Sequence, residues 1–254
     1  MCAGRGPRSL LMHRYALIIP ALNEAESIRA ALAAVPRQLF TQILVVDNGS
    51  RDCTIEAARA AGVEVVEEPR RGYGQACQTG LANLRAEVTA VAFMDADLSD
   101  DPADLAELIE RFEGNQFGLI VGSRVLGVPE PGSLTPVQRF GNRLATWLIR
   151  KAWGAPFTDL GPMRLVSRAA LPQLDLHDPD FGWNVEMQAK AARLGLRVGE
   201  VPVRYRRRRL GKSKISGTVG GSVRAGLKIL LTIYRCWRAP RTPSVDAMAG
   251  QHPT

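Results

Sequence analysis

Asp95-Ala96-Asp97 directly follows the apolar run Val91-Ala92-Phe93-Met94. Two carboxylates one residue apart at the end of a buried run repel each other unless a cation stands between them. Mg2+ or Mn2+ suits that place, because a hard divalent ion takes oxygen ligands from carboxylates and phosphates together. Such a metal would act as a Lewis acid, neutralising charge on a departing nucleoside diphosphate. Taken alone the pair is a loose signal. Aspartates are frequent in turns and helix starts, and Asp97 or Ser99 reads equally as the cap of the next helix.

Two more polar clusters stand at equivalent places. Pro20-Ala21-Leu22-Asn23-Glu24 follows a first strand, Tyr15 to Ile19, and Asp47-Asn48-Gly49-Ser50-Arg51-Asp52 follows a second, Ile43 to Val46. In a parallel sheet, ligands bind outside the carboxyl ends of the strands. Three strand ends thus gather carboxylates and amides along one edge. That edge suits a ligand with hydroxyls, base nitrogens and a metal-bound phosphate.

The elements that would carry these clusters alternate regularly. Glu24 to Val35 has helical period, Asp52 is placed to cap a second helix and Gly62 to end it, and Val63 to Val66 reads as a third strand. Residues 75–85 form a third helix, Val88 to Met94 a fourth strand, Pro102 opens a helix through Phe112, and Leu119 to Val121 is a further strand. This is the pattern of βαβ units and a mainly parallel sheet. Beyond Gly122 the alternation fades. A tryptophan-bearing helix over about 137–153 is followed by an irregular stretch, Pro156 to Arg164, a helix from Asn184 to Leu194, and a strand from Val198 to Tyr205.

Cys2, Cys53, Cys77 and Cys236 are scattered, without the paired spacing of a zinc site or a disulfide framework, so a reducing cytoplasmic setting is the natural expectation. The run Leu10-Leu11-Met12 is too short for a signal-peptide core, and Ile229 to Ile233 is far below the ~20 residues that cross a bilayer. Net charge is +8, and Arg204, Arg206, Arg207, Arg208, Arg209, Lys212 and Lys214 crowd one segment. An anionic partner or a solvated basic face both follow from that crowding. Nucleic-acid binding through residues 204–214 is the alternative from another functional class. Few aromatics, no nucleic-acid motif and an acidic strand-end edge count against it.

Ile18-Ile19-Pro20-Ala21-Leu22-Asn23-Glu24, Val45-Val46-Asp47-Asn48-Gly49-Ser50, Arg71-Gly72-Tyr73-Gly74, Asp95-Ala96-Asp97-Leu98 and Gly122-Ser123-Arg124 occur in a set order. Over residues 14–235 this order and spacing resembles the family 2 glycosyltransferases, and within them the dolichyl- or polyprenyl-phosphate mannosyl- and glucosyltransferase branch. The resemblance implies a GT-A fold, a Rossmann-like three-layer α/β sandwich with a mainly parallel central sheet. With the residue pattern at either end, the chain then divides into a tail (1–13), a nucleotide-sugar-binding half (14–122), an acceptor-binding half of the same domain (123–216), a C-terminal amphipathic helix (217–238) and a second tail (239–254). It implies that Pro20, Leu22, Asn23, Glu24, Asp47, Gly72, Asp95 and Ala96 bind the nucleotide and that Asp95 and Asp97 hold the metal. Arg124, Arg139, Asn142, Lys212, Ser213 and Lys214 would hold the acceptor phosphate. Ser99 stands where relatives often have Gln, so a third metal ligand is not implied.

The implied reaction is an inverting transfer of a hexose from a UDP- or GDP-sugar to a polyprenyl phosphate, with Asp97, Arg124 and Arg139 in catalytic places. The transition state is oxocarbenium-like. A phosphate acceptor is already an oxyanion at neutral pH, its second pKa being about 6, and needs arginines and lysines more than a base. A soluble or glycan hydroxyl acceptor needs a base instead, for which Glu186, Asp178 and Asp180 are the candidates. On the last helix Val219, Val223, Leu227, Leu230 and Tyr234 share one face, while Arg224, Lys228 and Arg235 share another. Such a helix either rests on the cytoplasmic face of a membrane carrying the lipid acceptor or packs its apolar face on the core.

Overall fold

The computed structural model describes residues 13–113, 115–208 and 219–239. Seven strands form one sheet: β1 (Tyr15–Ala21), β2 (Phe40–Asp47), β3 (Glu64–Glu67), β4 (Ala90–Phe93), β5 (Leu119–Ser123), β6 (Arg164–Ser167) and β7 (Val198–Pro202). Their order across it is β3-β2-β1-β4-β6-β5-β7. The helices are α1 (Ala25–Ala34), α2 (Thr54–Ala60), α3 (Tyr73–Ala82), α4 (Leu105–Glu113), α5 (Pro136–Trp153), α6 (Leu171–Leu174), α7 (Trp183–Arg193) and α8 (Val219–Arg238).

β1 is buried on both faces, which is why it reads as an unbroken apolar run. Its Leu17 and Ile19 point into a core shared with Ile28 and Leu32 of α1, Ala57 of α2 and Leu108 of α4. Ala16 and Ile18 point the other way, to Ala76 and Cys77 of α3, Ile149 of α5, Met187 of α7 and Ile233 of α8. The result is the expected three-layer sandwich.

Pairing is parallel for β1 with β2 and β4, for β2 with β3, and for β5 with β7. β6 runs antiparallel to both β4 and β5. The sequence reading placed no strand there, because Arg164 opens it and a fully buried charge in mid-sheet breaks the apolar pattern. The last strand was expected to reach Tyr205; ladder pairing ends at Pro202, and Tyr205 returns only as an isolated bridge to Asp100 and Pro129.

Local chemistry sets several boundaries. Cys53 holds the N-cap position of α2 without a side-chain cap, and Asp52 beside it accepts from Thr54 N (3.1 Å) and from Ala25 N (3.2 Å), tying the starts of α1 and α2 together. Pro102 opens a 3-10 turn, capped by Asp101, before α4 begins at Leu105. α5 starts with a capping box between Thr135 and Gln138 and stops at Gly154, whose φ of 76° suits glycine.

α8 packs through Thr232, Ile233 and Cys236. Of the positions expected to form its apolar stripe, Leu227, Leu230 and Tyr234 are exposed, as are Leu231 and Trp237; the side chains of Val219, Val223 and Arg224 lie outside the described residues. Lys228 belongs to no basic stripe, since it pairs with Asp178 at 3.0 Å. No helix among the described residues is long and apolar enough to cross a membrane.

Candidate active site

The chain runs outward from β1 to β2 and β3, then crosses back to place β4 on the other side of β1. That reversal is a topological switch point, where open α/β sheets leave a crevice. A cleft of about 650 Å³ occupies it. Pro20, Ala21, Leu22 and Glu24 from the end of β1 line one side, and Asp95, Ala96 and Asp97 from the end of β4 line the floor. Asn48, Gly72, Tyr73, Arg124, Tyr205 and Arg208 complete the lining. A second hollow, lined by Gln42, Glu64 and Arg85, lies at the strand starts of β2 and β3, and its Arg85 and Gln42 are already spent on Glu64.

The floor is short of positive charge. Burial, and then the like charge of Asp97, raise the pKa of the Asp95 carboxyl, against the pull of the Tyr73 hydroxyl, Arg124 and Arg164. Asp100, three residues beyond Asp97, is buried with no hydrogen-bond partner on either carboxyl oxygen. Burial and the charge of Asp95 raise its pKa too. Asp97 is only partly free: its Oδ1 accepts from Ser99 N at 2.9 Å within a local turn, the cap of the next helical turn falling to Asp101 instead, and its Oδ2 lies 3.3 Å from Arg208 Nη1. Arg208 also donates to Glu24. Leu98 adopts φ 61°, an unfavourable backbone state for a side-chain-bearing residue, and so lets the chain turn back just past Asp97.

This floor fits a divalent cation. Asp95 and Asp97 are hard oxygen donors, and the excess of buried acid is what a cation would relieve. Among the described residues no three His, Cys, Asp or Glu side chains form a metal cage. Any ion held here would therefore complete its shell with ligand oxygens or water.

The loops from β1 and β2 are built by amides. Asn23 Oδ1 accepts from Arg51 N (2.7 Å) and Asn23 N donates to Ser50 Oγ (2.9 Å), so this residue joins the loops and does not line the cleft. Asp47 is buried below them. Its Oδ2 accepts from Gly49 N and Ser50 N, while its Oδ1 has no partner. Asn48 lines the cleft instead, accepting from Gly72 N at 2.8 Å. Gly72 has φ 142°, and a Cβ there would lie 2.1 Å from Pro179 O. No other residue type fits.

The residues foreseen for an acceptor phosphate are not gathered as expected. Arg124 lines the cleft, but its Nε and Nη2 grip Asp159 at 2.7 and 2.8 Å and its guanidinium lies 4.9 Å over the Tyr205 ring. Burial alone would lower its pKa; the hydrogen bonds and charge of Asp159 raise it instead. Asn142 donates to Thr158 O (3.0 Å) and accepts from Leu160 N (2.8 Å), fastening α5 to the loop before β6. Arg139 is exposed and off the cleft. Lys212, Ser213 and Lys214 lie outside the described residues.

Glu186 is also away from the cleft. It accepts from His177 N (3.0 Å) and Asp178 N (2.8 Å) and pairs with Lys190 at 2.8 Å, so nothing about it is poised to take a proton from an acceptor. Asp178 accepts from Asp180 N and pairs with Lys228. Of the three base candidates only Asp180 lines the cleft.

The basic segment folds back on acids. Arg204 pairs with Asp104 at 2.7 Å, Arg206 with Asp101 at 2.6 Å, and Arg208 with Glu24 and Asp97. Much of the charge that suggested a polyanion partner is thus spent inside the protein. Sequence reasoning did not single out Gln138, Asn184, Tyr205 or Arg208 as cleft residues. Arg208 was visible only as one of a run of arginines, and nothing in its spacing told it from its neighbours.

The family model described as glycosyl transferase family 2 matches residues 16–174. An uncharacterized glycosyltransferase of Mycobacterium tuberculosis is 40% identical over 209 residues, covering 82% of this chain and 92% of its own length. The undecaprenyl-phosphate mannosyltransferase of Micrococcus luteus is 32% identical over 227 residues, covering 82% and 90%. Among solved structures, glucosyl-3-phosphoglycerate synthase from M. tuberculosis in complex with Mn2+ and UDP-glucose superposes with a TM-score of 0.73 at 21% identity, over 90% of this chain and 80% of that one. The last likeness shows the shared GT-A fold, and the sequence matches show the lineage: the chain belongs to glycosyl transferase family 2.

Proposed function

We propose that the protein transfers a hexose, with inversion, from a UDP- or GDP-linked donor to a polyprenyl phosphate at the cytoplasmic membrane surface. The observation that carries the donor half is the acidic floor at the switch-point crevice, where, among the described residues, Asp95 has no cation at ion-pair distance and Asp97 meets only Arg208, at 3.3 Å. Mg2+ or Mn2+ gripped there would supply Lewis-acid stabilisation of the leaving diphosphate. The synthase that shares the fold is seen with UDP and either ion. Pro20, Leu22, Asn48 and the Gly72 backbone line the part of the cleft that takes base and ribose, with Asp47 and Asn23 fixing its loops. Arg208, already within reach of Asp97, exchanges its carboxylate partners for diphosphate oxygens as the donor enters.

Three features support a lipid phosphate acceptor. The mannosyltransferase of M. luteus acts on undecaprenyl phosphate by name. Glu186 and Asp178 are engaged inside the protein, and a phosphate acceptor needs no base. Finally, α5 and α8 pack together and leave aromatic and basic side chains exposed: Phe140, Arg143, Trp147 and Lys151 on α5, Tyr234, Arg235, Trp237 and Arg238 on α8. Exposed aromatics beside basic residues are the pattern of a helix lying in an anionic bilayer surface. α5 also brings Gln138 to the cleft, which joins that surface to the site.

The position of Asp180 on the cleft favours a second reading, a hydroxyl acceptor with Asp180 as the base. The two are separated by assaying UDP-glucose and GDP-mannose with Mn2+ against undecaprenyl phosphate in vesicles and against phosphoglyceric acid. On the lipid reading, product partitions into organic solvent and Asp180→Asn keeps most activity. A loss of ~10²–10⁴-fold in Asp180→Asn, the usual worth of a general base, with water-soluble product would overturn it.

A further inference from the structure

Two polar atoms at one end of the cleft have no partner. The Tyr73 hydroxyl and Asn184 Oδ1 are both buried from solvent and neither has a partner at ordinary hydrogen-bond geometry, although both residues line the cleft; the Tyr73 hydroxyl has the Asp95 carboxyl and the Cys77 thiol near it. Buried polar groups in folded proteins are almost always paired, so such orphans call for a ligand.

The walls that carry them are fixed. Tyr73 opens α3 and Asn184 lies in the first turn of α7. Gln75 N donates to Pro179 O at 2.8 Å, and Gly72 and Gly74 let the backbone of residues 178–179 approach to where a Cβ would be only 2.1 and 2.0 Å away. Behind Asn184, the fully buried Arg164 donates to Asn184 O (3.0 Å), Pro162 O (3.3 Å) and Gly161 O. Desolvation pushes the Arg164 pKa down to about 10. That guanidinium is spent on carbonyls and offers nothing to a phosphate.

The chemistry at this end differs from the rest of the cleft. A phenol and a carboxamide are neutral and can donate to or accept from hydroxyls, and Phe181 and Leu160, which line the same cleft, are apolar. A sugar has both kinds of surface. Tyr73 also neighbours Asp95, so this end adjoins the place where the diphosphate would be gripped.

We propose that the Tyr73 hydroxyl and the Asn184 carboxamide read the hydroxyls of the donor hexose and set which sugar is accepted. This rests on the nucleotide-sugar reading above. The test is calorimetric titration of the full chain, with Mn2+, by UDP, UDP-glucose, UDP-galactose, GDP and GDP-mannose. For the nucleotide that wild type binds, Tyr73→Phe and Asn184→Ser should leave the nucleoside diphosphate Kd within about twofold while weakening the sugar conjugate about tenfold, the worth of one hydrogen bond. For a uridine donor, discrimination between UDP-glucose and UDP-galactose should narrow as well. Sugar conjugates bound as by wild type, or diphosphate and conjugate weakened equally, would overturn the assignment. Wild type binding none of the five would defeat the nucleotide-sugar reading itself, and this assignment with it.

Discussion

The two walls of the cleft carry carboxylates in opposite states. On the β5 side, Asp159 accepts from Arg124 through its backbone N, Nε and Nη2, and Glu200 accepts from Thr158 N, Thr158 Oγ1 and Asp159 N. Every charge there is answered within the protein. On the β4 side no Lys, Arg or His reaches Asp95 at ion-pair distance among the described residues, and neither carboxyl oxygen of Asp100 has a hydrogen-bond partner. Folding tolerates the second state only at a cost in stability. Carboxylates that close their own hydrogen bonds build the wall; those left short of positive charge are the ones available to a ligand.

The contrast can be broken from either side. Asp159→Asn would strand the Arg124 guanidinium, whose side chain is only 14% exposed, and the loss of a buried partner costs about 3–5 kcal/mol. Chemical denaturation should show that drop, with activity declining only as folded protein is lost. Asp97→Asn should do the reverse. Relief of like-charge repulsion with Asp95 offsets loss of the 3.3 Å pair with Arg208, so the melting temperature moves little, while turnover falls by ~10²–10³-fold, the scale of losing one preorganised electrostatic contact to a transition state. The Mn2+-dependent rise in melting temperature with nucleotide-sugar should vanish as well, because the ion then binds folded protein no better than unfolded. An Asp97→Asn protein that melts lower and still turns over would reverse the assignment of the two walls.

How far the sequence told these walls apart depends on range. Strand ends are local, so β1, β2 and β4 with their clusters Pro20–Glu24, Asp47–Asp52 and Asp95–Asp97 were legible from apolar runs and the residues that stop them. Pairings made across the fold were not. Arg124 and Asp159 stand 35 residues apart and Arg208 and Glu24 stand 184 apart, so neither ion pair leaves a trace in spacing. Without them Arg124 looked like a phosphate ligand and residues 204–208 like a surface for polyanions. β6 was lost for a similar reason: its buried Arg164 makes sense only once the carbonyls of residues 161, 162 and 184 surround it.

The smallest expected effect is the sharpest on the boundary between the two kinds of carboxylate, because it falls on a residue that sequence alone made a catalytic base. Glu186→Gln keeps the shape of the side chain and one carbonyl oxygen to accept from His177 N or Asp178 N, and gives up the ion pair with Lys190. That pair is largely shielded, with side chains 9% and 14% exposed, so the loss should exceed that of a surface pair and amount to about 1–2 kcal/mol. Turnover should stay within about threefold of wild type, since a general base would be missed by ~10²–10⁴-fold. The loop between α6 and α7 is what should respond: it carries Asp180 to the cleft and Asp178 to Lys228 of α8, so its amides at 177 and 178 should exchange hydrogen faster. If turnover instead collapsed with the melting temperature untouched, a carboxylate with all its hydrogen bonds made inside the protein would be doing chemistry, and the division of the cleft into spent and unspent acids would fail.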